Sequence, residues 1–211
     1  MLSEESRDVV ILYDRVLEWS KYGKWRRKVY PIVLDIVSRS VERCGVVGIV
    51  SRNYDMTKDL HELLERAGYR VSSDWKQNLE TRADVYIITT MGKWYRGISI
   101  LPKKSPQGDF PVIIAFFQGK IDPSSHPFLL DELSLFFNKE YQYRRELMYG
   151  RNLQALYRFN RFGKNRHIMI LFDHRWKLAY RVFYHRKWAR EFQRLEVDDI
   201  SRLHEITKNI L

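Results

Sequence analysis

VIIAFFQGK, residues 112–120, opens with an unbroken apolar run and closes on a polar tripeptide. An apolar run this short marks a strand covered on both faces, as in an α/β sheet. Working toward the N-terminus, residues 84–90 (DVYIITT) predict another strand. Met91-Gly92-Lys93 predicts a turn, and 94–101 its returning neighbour. Residues 69–73 and 46–50 predict two further short strands. Between them, 55–67 predicts a helix with Asp55 as its N-cap, Leu60, Leu63 and Leu64 facing inward, and Gly68 as its stop. Residues 5–19 predict a helix with Val9, Val10, Leu12, Val16 and Leu17 on one side. A second helix, 24–43, is basic at its start through Lys24, Arg26, Arg27 and Lys28; Pro31 fits its first turns or a restart, and Gly45 ends it. Toward the C-terminus, 127–159 is largely helical, interrupted near Gly150. Residues 166–173 and 178–184 predict strands, and 197–209 a closing helix. The expectation is one α/β domain over 1–211, with a helical extension over 1–50 and a core over 51–211.

No run of 18 apolar residues is present, so a membrane span is not expected. The stretch MLSEESRDVV carries acids where a secretory leader has bases. Cys44 is the single cysteine, which excludes an internal disulfide and a cysteine-based zinc site and fits a reducing, cytoplasmic setting. The net charge is +11, and nucleic acid is the usual partner of such an excess. Its distribution is uneven. Residues 138–194 hold 15 Lys+Arg against 4 Asp+Glu, so the remainder is neutral. The same window carries 13 aromatic residues, including Tyr141, Tyr143, Tyr149, Tyr157, Phe159, Phe162, Trp176 and Trp188. Bases track phosphates and rings stack on unpaired bases, although about half of these rings belong to a core by ordinary burial frequencies. The candidate nucleic-acid contacts are Arg144, Arg145, Arg151, Arg158, Arg161, Lys164, Arg166, Arg175 and Lys177.

The order helix, strand, strand, strand, helix, strand from residue 56, with Asp84 opening one hydrophobic strand and Gln118-Gly119-Lys120 closing another, resembles the PD-(D/E)XK nuclease superfamily. Within it, LHELLERAGYRV is similar to the first helix and following strand of archaeal Holliday-junction resolvases, and the resemblance spans roughly 55–173. It implies a restriction-endonuclease-like αβββαβ core with a mixed central sheet, and a Mg²⁺- or Mn²⁺-dependent DNA endonuclease acting on branched or replication-intermediate DNA as a homodimer. A small basic protein of this kind would suit an archaeal virus and the cytoplasm of its host. Asp84, Gln118 and the Gly119 carbonyl would hold the metal, and Lys120 would orient the attacking water. Two positions depart from the pattern: Gln118 stands where the family has a carboxylate, and the helix acid falls near Thr57, with Asp55 and Asp59 two residues away on either side.

Asp74-Trp75-Lys76 is a second literal match to D-x-K, in a polar loop. No GxxxxGK[ST] loop exists, so no nucleotide cofactor is expected. The histidines lack metal-ligand spacing, and a tyrosine recombinase mechanism at Tyr141 or Tyr143 lacks accompanying Arg/His residues. The alternative function is a non-catalytic DNA-binding protein, such as a viral replication or regulatory factor.

Overall fold

The computed structural model describes residues 8–73, 82–90, 110–119, 140–159, 167–183 and 192–211. Its centre is a seven-stranded sheet of order β3-β4-β2-β5-β6-β1-β7. The strands are β1 (Val9–Tyr13), β2 (Val47–Ser51), β3 (Val71–Ser73), β4 (Val85–Thr89), β5 (Val112–Phe116), β6 (Ile168–Phe172) and β7 (Gln193–Val197). Every pairing is parallel. The expected mixed sheet is therefore corrected to an all-parallel one. The hairpin partner expected at 94–101 lies outside the described residues.

The helices are α1 (Tyr22–Cys44), α2 (Tyr54–Arg66), α3 (Glu140–Leu156), α4 (Arg175–Phe183) and α5 (Ile200–Ile210). Their placement follows from the strand order. Parallel crossovers are right-handed, so the steps from β1 to β2 and β2 to β3, made in one direction across the sheet, put α1 and α2 on one face. The steps from β5 to β6 and β6 to β7, made in the other direction, put α3 and α4 on the opposite face. The core obeys this division. Val9, Ile11, Ile49, Ile87, Ile114 and Phe172 pack under α1, α2 and α5. Their alternating neighbours Val10, Leu12, Val50, Ile88, Ala115 and Leu171 pack under α3 and α4. This is the period-two alternation of a strand buried on both sides.

Two expected elements change, and one strand appears that was not expected. Residues 9–13 are not helical: VVILY is an inner strand held between β6 and β7, so the described part of 1–50 contributes to the core instead of extending from it. A five-residue apolar strand and one helical stripe give the same short pattern. Within the expected strand at 178–184, residues 178–183 are the second half of α4, whose Trp176, Ala179 and Tyr180 are buried at helical spacing. β7 was not expected at all, because its QRLEV is mostly exposed and polar, as an edge strand tolerates. α1 also runs unbroken through Pro31, and Gly45 ends it with φ 77°. Among the described residues, no helix is long and apolar enough to cross a membrane.

Candidate functional site

In an all-parallel sheet the residues that follow each strand share one edge, and binding clefts form where neighbouring strands send their chains in opposite directions. Here that point lies between β2, which continues toward β3, and β5, which continues toward β6. A cleft of about 500 Å³ opens there. Arg52 and Asn53 enter it after β2, Gln118 and Gly119 after β5, and Arg175 after β6. Glu18, Trp19 and Ser20, from the segment after β1, close one side.

Asp173 anchors one wall. It is fully buried and takes φ 129°, a region that ordinary side chains avoid. Its carboxylate accepts hydrogen bonds from the Leu17 amide at 2.9 Å and from the Arg175 amide at 2.9 Å. Arg175 Nε and Nη2 donate to its two oxygens at 2.8 and 2.6 Å, a bidentate charge-assisted pair. The guanidinium lies 5.3 Å from the Phe117 ring centre. It also lies against Gly119, where an added Cβ would fall 1.9 Å from Arg175 Nη1. Glycine at 119 is thus the space in which this arginine sits.

Arg52 is 8% exposed. Its Nη1 donates to the Leu17 carbonyl at 2.5 Å, and its guanidinium carbon stands 5.6 Å from the Trp19 ring centre. Trp19 is backed by Tyr22, stacked at 4.2 Å. Among the described residues Arg52 has no carboxylate partner of its own. Burial, together with the charge on Arg175, pushes its pKa down to about 10, and Asp173 opposes the shift. It remains a cation at neutral pH.

The cleft floor is a polar network. The Thr90 hydroxyl donates to the Gln118 side-chain oxygen and lies 3.4 Å from the Arg52 carbonyl. Asn152 of α3 accepts from the Gln118 amide at 2.8 Å and donates to the Gln118 carbonyl at 3.2 Å. Asn53, and not the expected Asp55, caps α2 by accepting from the Met56 amide at 3.0 Å. Two guanidinium groups, Arg52 and Arg175, share one buried carboxylate, Asp173, while Glu18 on the cleft wall is paired with Lys21 at 2.7 Å.

The proposed nuclease residues do not converge. Gln118 lies level with Asn53 in the β2 register and Asp84 level with Val46. Seven residues of parallel strand separate them by about 23 Å. Asp84 sits at the opposite edge of the sheet, where it accepts from the Arg70 amide at 2.8 Å and faces the Arg70 guanidinium at 3.8 Å. Asp59 accepts from Tyr22 at 2.5 Å and pairs with Arg26 at 2.7 Å. Burial and the Asp59 hydrogen bond push the Tyr22 phenol well above its usual range. Asp55 is exposed in the first turn of α2. Thr57 is buried, its hydroxyl bonded to Ser51 at 2.5 Å. Lys120 and the alternative Asp74-Trp75-Lys76 lie outside the described residues. No three carboxylate, histidine or cysteine side chains among the described residues form a metal-holding group. Among the described residues, those expected to hold Mg²⁺ or Mn²⁺ are therefore not brought together.

The basic window is divided. Arg161, Lys164 and Arg166 lie outside the described residues. Arg151 is buried, and Arg144, Arg145 and Arg158 are half-buried. Lys177 is held by Glu196 and lies 3.7 Å from Asp14. Of the six that are described, Arg175 is the one that reaches the cleft. The rings are core wherever the structure describes them as buried: Tyr149, Phe159, Trp176 and Tyr180 pack beneath α3 and α4. The sequence reading missed Arg52, Trp19 and Asp173. Their signal is positional, since each follows a strand that ends at the same sheet edge.

No family model matches the sequence, and no curated protein matches it. Solved structures do. Apo XPD is 15% identical with a TM-score of 0.58, over 91% of this chain and 40% of that one. Xpd4 of S. tokodaii is 15% identical with a TM-score of 0.56, over 92% of this chain and 39% of that one. The C-terminal domain of the DEAD-box protein Dbp5 is 16% identical with a TM-score of 0.48, over 97% of this chain and 98% of that one. The chain thus spans about two fifths of the XPD chains it matches. The resemblance to PD-(D/E)XK nucleases and Holliday-junction resolvases is overturned, together with the nuclease activity it implied. The homodimer implied by that resemblance loses its basis as well. The fold is an all-parallel α/β domain similar to one found in XPD.

Proposed function

We propose that the protein is a nucleic-acid-binding domain of helicase type, and that its cleft between β2 and β5 grips a phosphate of the bound strand. Arg52 carries the reading. A cation nine-tenths buried without its own carboxylate is costly unless an anion completes it. A phosphate in the cleft would meet Arg52 directly and would also relieve the repulsion between Arg52 and Arg175. The likeness to XPD, described elsewhere as a helicase, supports the class. These 211 residues contain no phosphate-binding GxxxxGK[ST] loop, so nucleotide hydrolysis would require a partner unit that supplies one.

The test is fluorescence anisotropy with labelled single-stranded and duplex DNA at low salt. Arg52→Met keeps the volume of the side chain and removes its charge. Loss of one charge-assisted phosphate contact, at about 1.5–3 kcal/mol, predicts binding weakened by roughly 10- to 100-fold. The chain alone is expected to show no ATP turnover. Wild-type protein that binds neither DNA, or an Arg52→Met protein that binds as wild type does, overturns the reading.

A further inference from the structure

The residues outside 138–194 sum to no net charge, yet the start of α1 is basic. Lys21, Lys24, Arg27 and Lys28 are all exposed. At 100° per residue they occupy one arc of about 120° on the helix. That arc points away from the buried stripe of Val29, Tyr30, Ile32 and Val33. Lys21 pairs with Glu18 at 2.7 Å. Among the described residues, Lys24, Arg27 and Lys28 have no ion-pair partner. The first turn holds no acid. Cations there oppose the helix dipole, which favours acids at this end. Their placement therefore works against the stability of α1, and a bland solvated face would not concentrate them there.

The row also has a direction. α1 begins one residue after the short turn Trp19–Lys21, and Trp19 is a wall of the cleft. From Lys21 to Lys28 the helix rises about 10 Å, close to the rise of three phosphates along one strand at ~3.4 Å each. The aromatic residues nearby do not offer stacking platforms. Trp19 has Arg52 over its ring and Tyr22 stacked on it. The chemistry is that of a phosphodiester backbone, with no base reading.

We infer that Lys24, Arg27 and Lys28 form a second phosphate track, which carries a nucleic-acid strand out of the cleft and across the α1 face of the sheet. This rests on the nucleic-acid reading of the cleft, and it places the exit on the opposite face from α3 and α4.

The experiment compares wild type with Lys24→Gln/Arg27→Gln/Lys28→Gln in anisotropy titrations against single-stranded and duplex oligonucleotides over a series of salt concentrations. All three positions are exposed, and circular dichroism and thermal melting confirm that the variant folds. Each lost phosphate contact lowers the slope of log K against log salt by ~0.7 for a single strand and ~0.9 for a duplex. The expected fall is about 2 to 3 in all. This corresponds to roughly 100-fold weaker binding near ~0.1 M salt, converging on wild type near ~1 M. A triple variant with an unchanged slope, in a protein whose binding still depends on Arg52, overturns the track and leaves the cleft reading intact. Wild-type protein that binds no oligonucleotide overturns both. Phosphatidylserine vesicles are the third arm: if the triple substitution abolishes vesicle binding and spares oligonucleotide binding, the row is a membrane contact and the track is overturned.

Discussion

A methyl group added at Gly48 would lie 2.8 Å from Cγ of Phe159, closer than packed carbon atoms approach. The glycine interrupts an apolar strand because the Phe159 ring lies across the sheet there, between the side chains of Val46 and Val50. Gly48→Ala overpacks this contact and is expected to cost about 1–3 kcal/mol. In urea denaturation the midpoint would fall with an unchanged slope, whereas an unmoved midpoint would show that the ring has room to yield. Legibility at this scale was uneven. Gln118 stood out as the polar end of an apolar run and does line the cleft. Asp84 stood out for the same kind of reason at the start of a strand, and start and end are opposite edges once neighbours run parallel. Arg52 gave no signal of its own, because one arginine after a buried strand looks like any solvated base until the fold closes around it.

At the level of elements, α1 carries two residues that oppose it. Lys24 in its first turn faces the dipole, and Pro31 in its interior cannot donate to the carbonyl of Arg27. The amphipathic spacing of Val29, Ile32, Val33, Ile36 and Val37 outweighs both, which is why the helix was legible from its apolar stripe. Pro31 is exposed. An interior proline costs about 3 kcal/mol against alanine, and its stiffening of the unfolded chain offsets about 0.4–1 kcal/mol of that. Pro31→Ala is therefore expected to stabilise the protein by about 2 kcal/mol, seen as a higher melting temperature. A lower one would mean that the restraint Pro31 places on the helix is needed for packing. Short elements were the ones misread. β1 has only five residues, too few to separate a stripe from an alternation. α4 has nine, with Leu178, Tyr180, Val182 and Phe183 suited to a strand by type, and only Trp176 and Ala179 on the core side show the helical period.

Across the whole molecule, composition and the buried runs at β2, β4 and β5 were enough to predict an α/β fold. The order of strands was not legible, because pairing depends on which edge each strand meets and no local pattern encodes it. That order fixes the position of the cleft. It brings the segments after β1, β2, β5 and β6, which are far apart in sequence, to one place, and it leaves the helices that carry most of the charge on separate faces. The only described side chain of the basic window that enters the cleft, Arg175, does so from the start of its helix.

The hold of Asn152 on Gln118 has a kinetic consequence. Gln118 lies beyond the last residue of β5, so its amide has no strand partner. It is held instead by a side chain from α3. Its hydrogen–deuterium exchange is therefore expected to follow the release of α3, a smaller opening than the rupture of the sheet that frees the amide of Ile114. Asn152→Ala should speed exchange at Gln118 by orders of magnitude and leave Ile114 unchanged; equal acceleration at both would show that α3 and the sheet open together. The last residue of the cleft floor thus acts as a strain gauge, reading from the edge of the sheet how firmly the layer behind it is fastened.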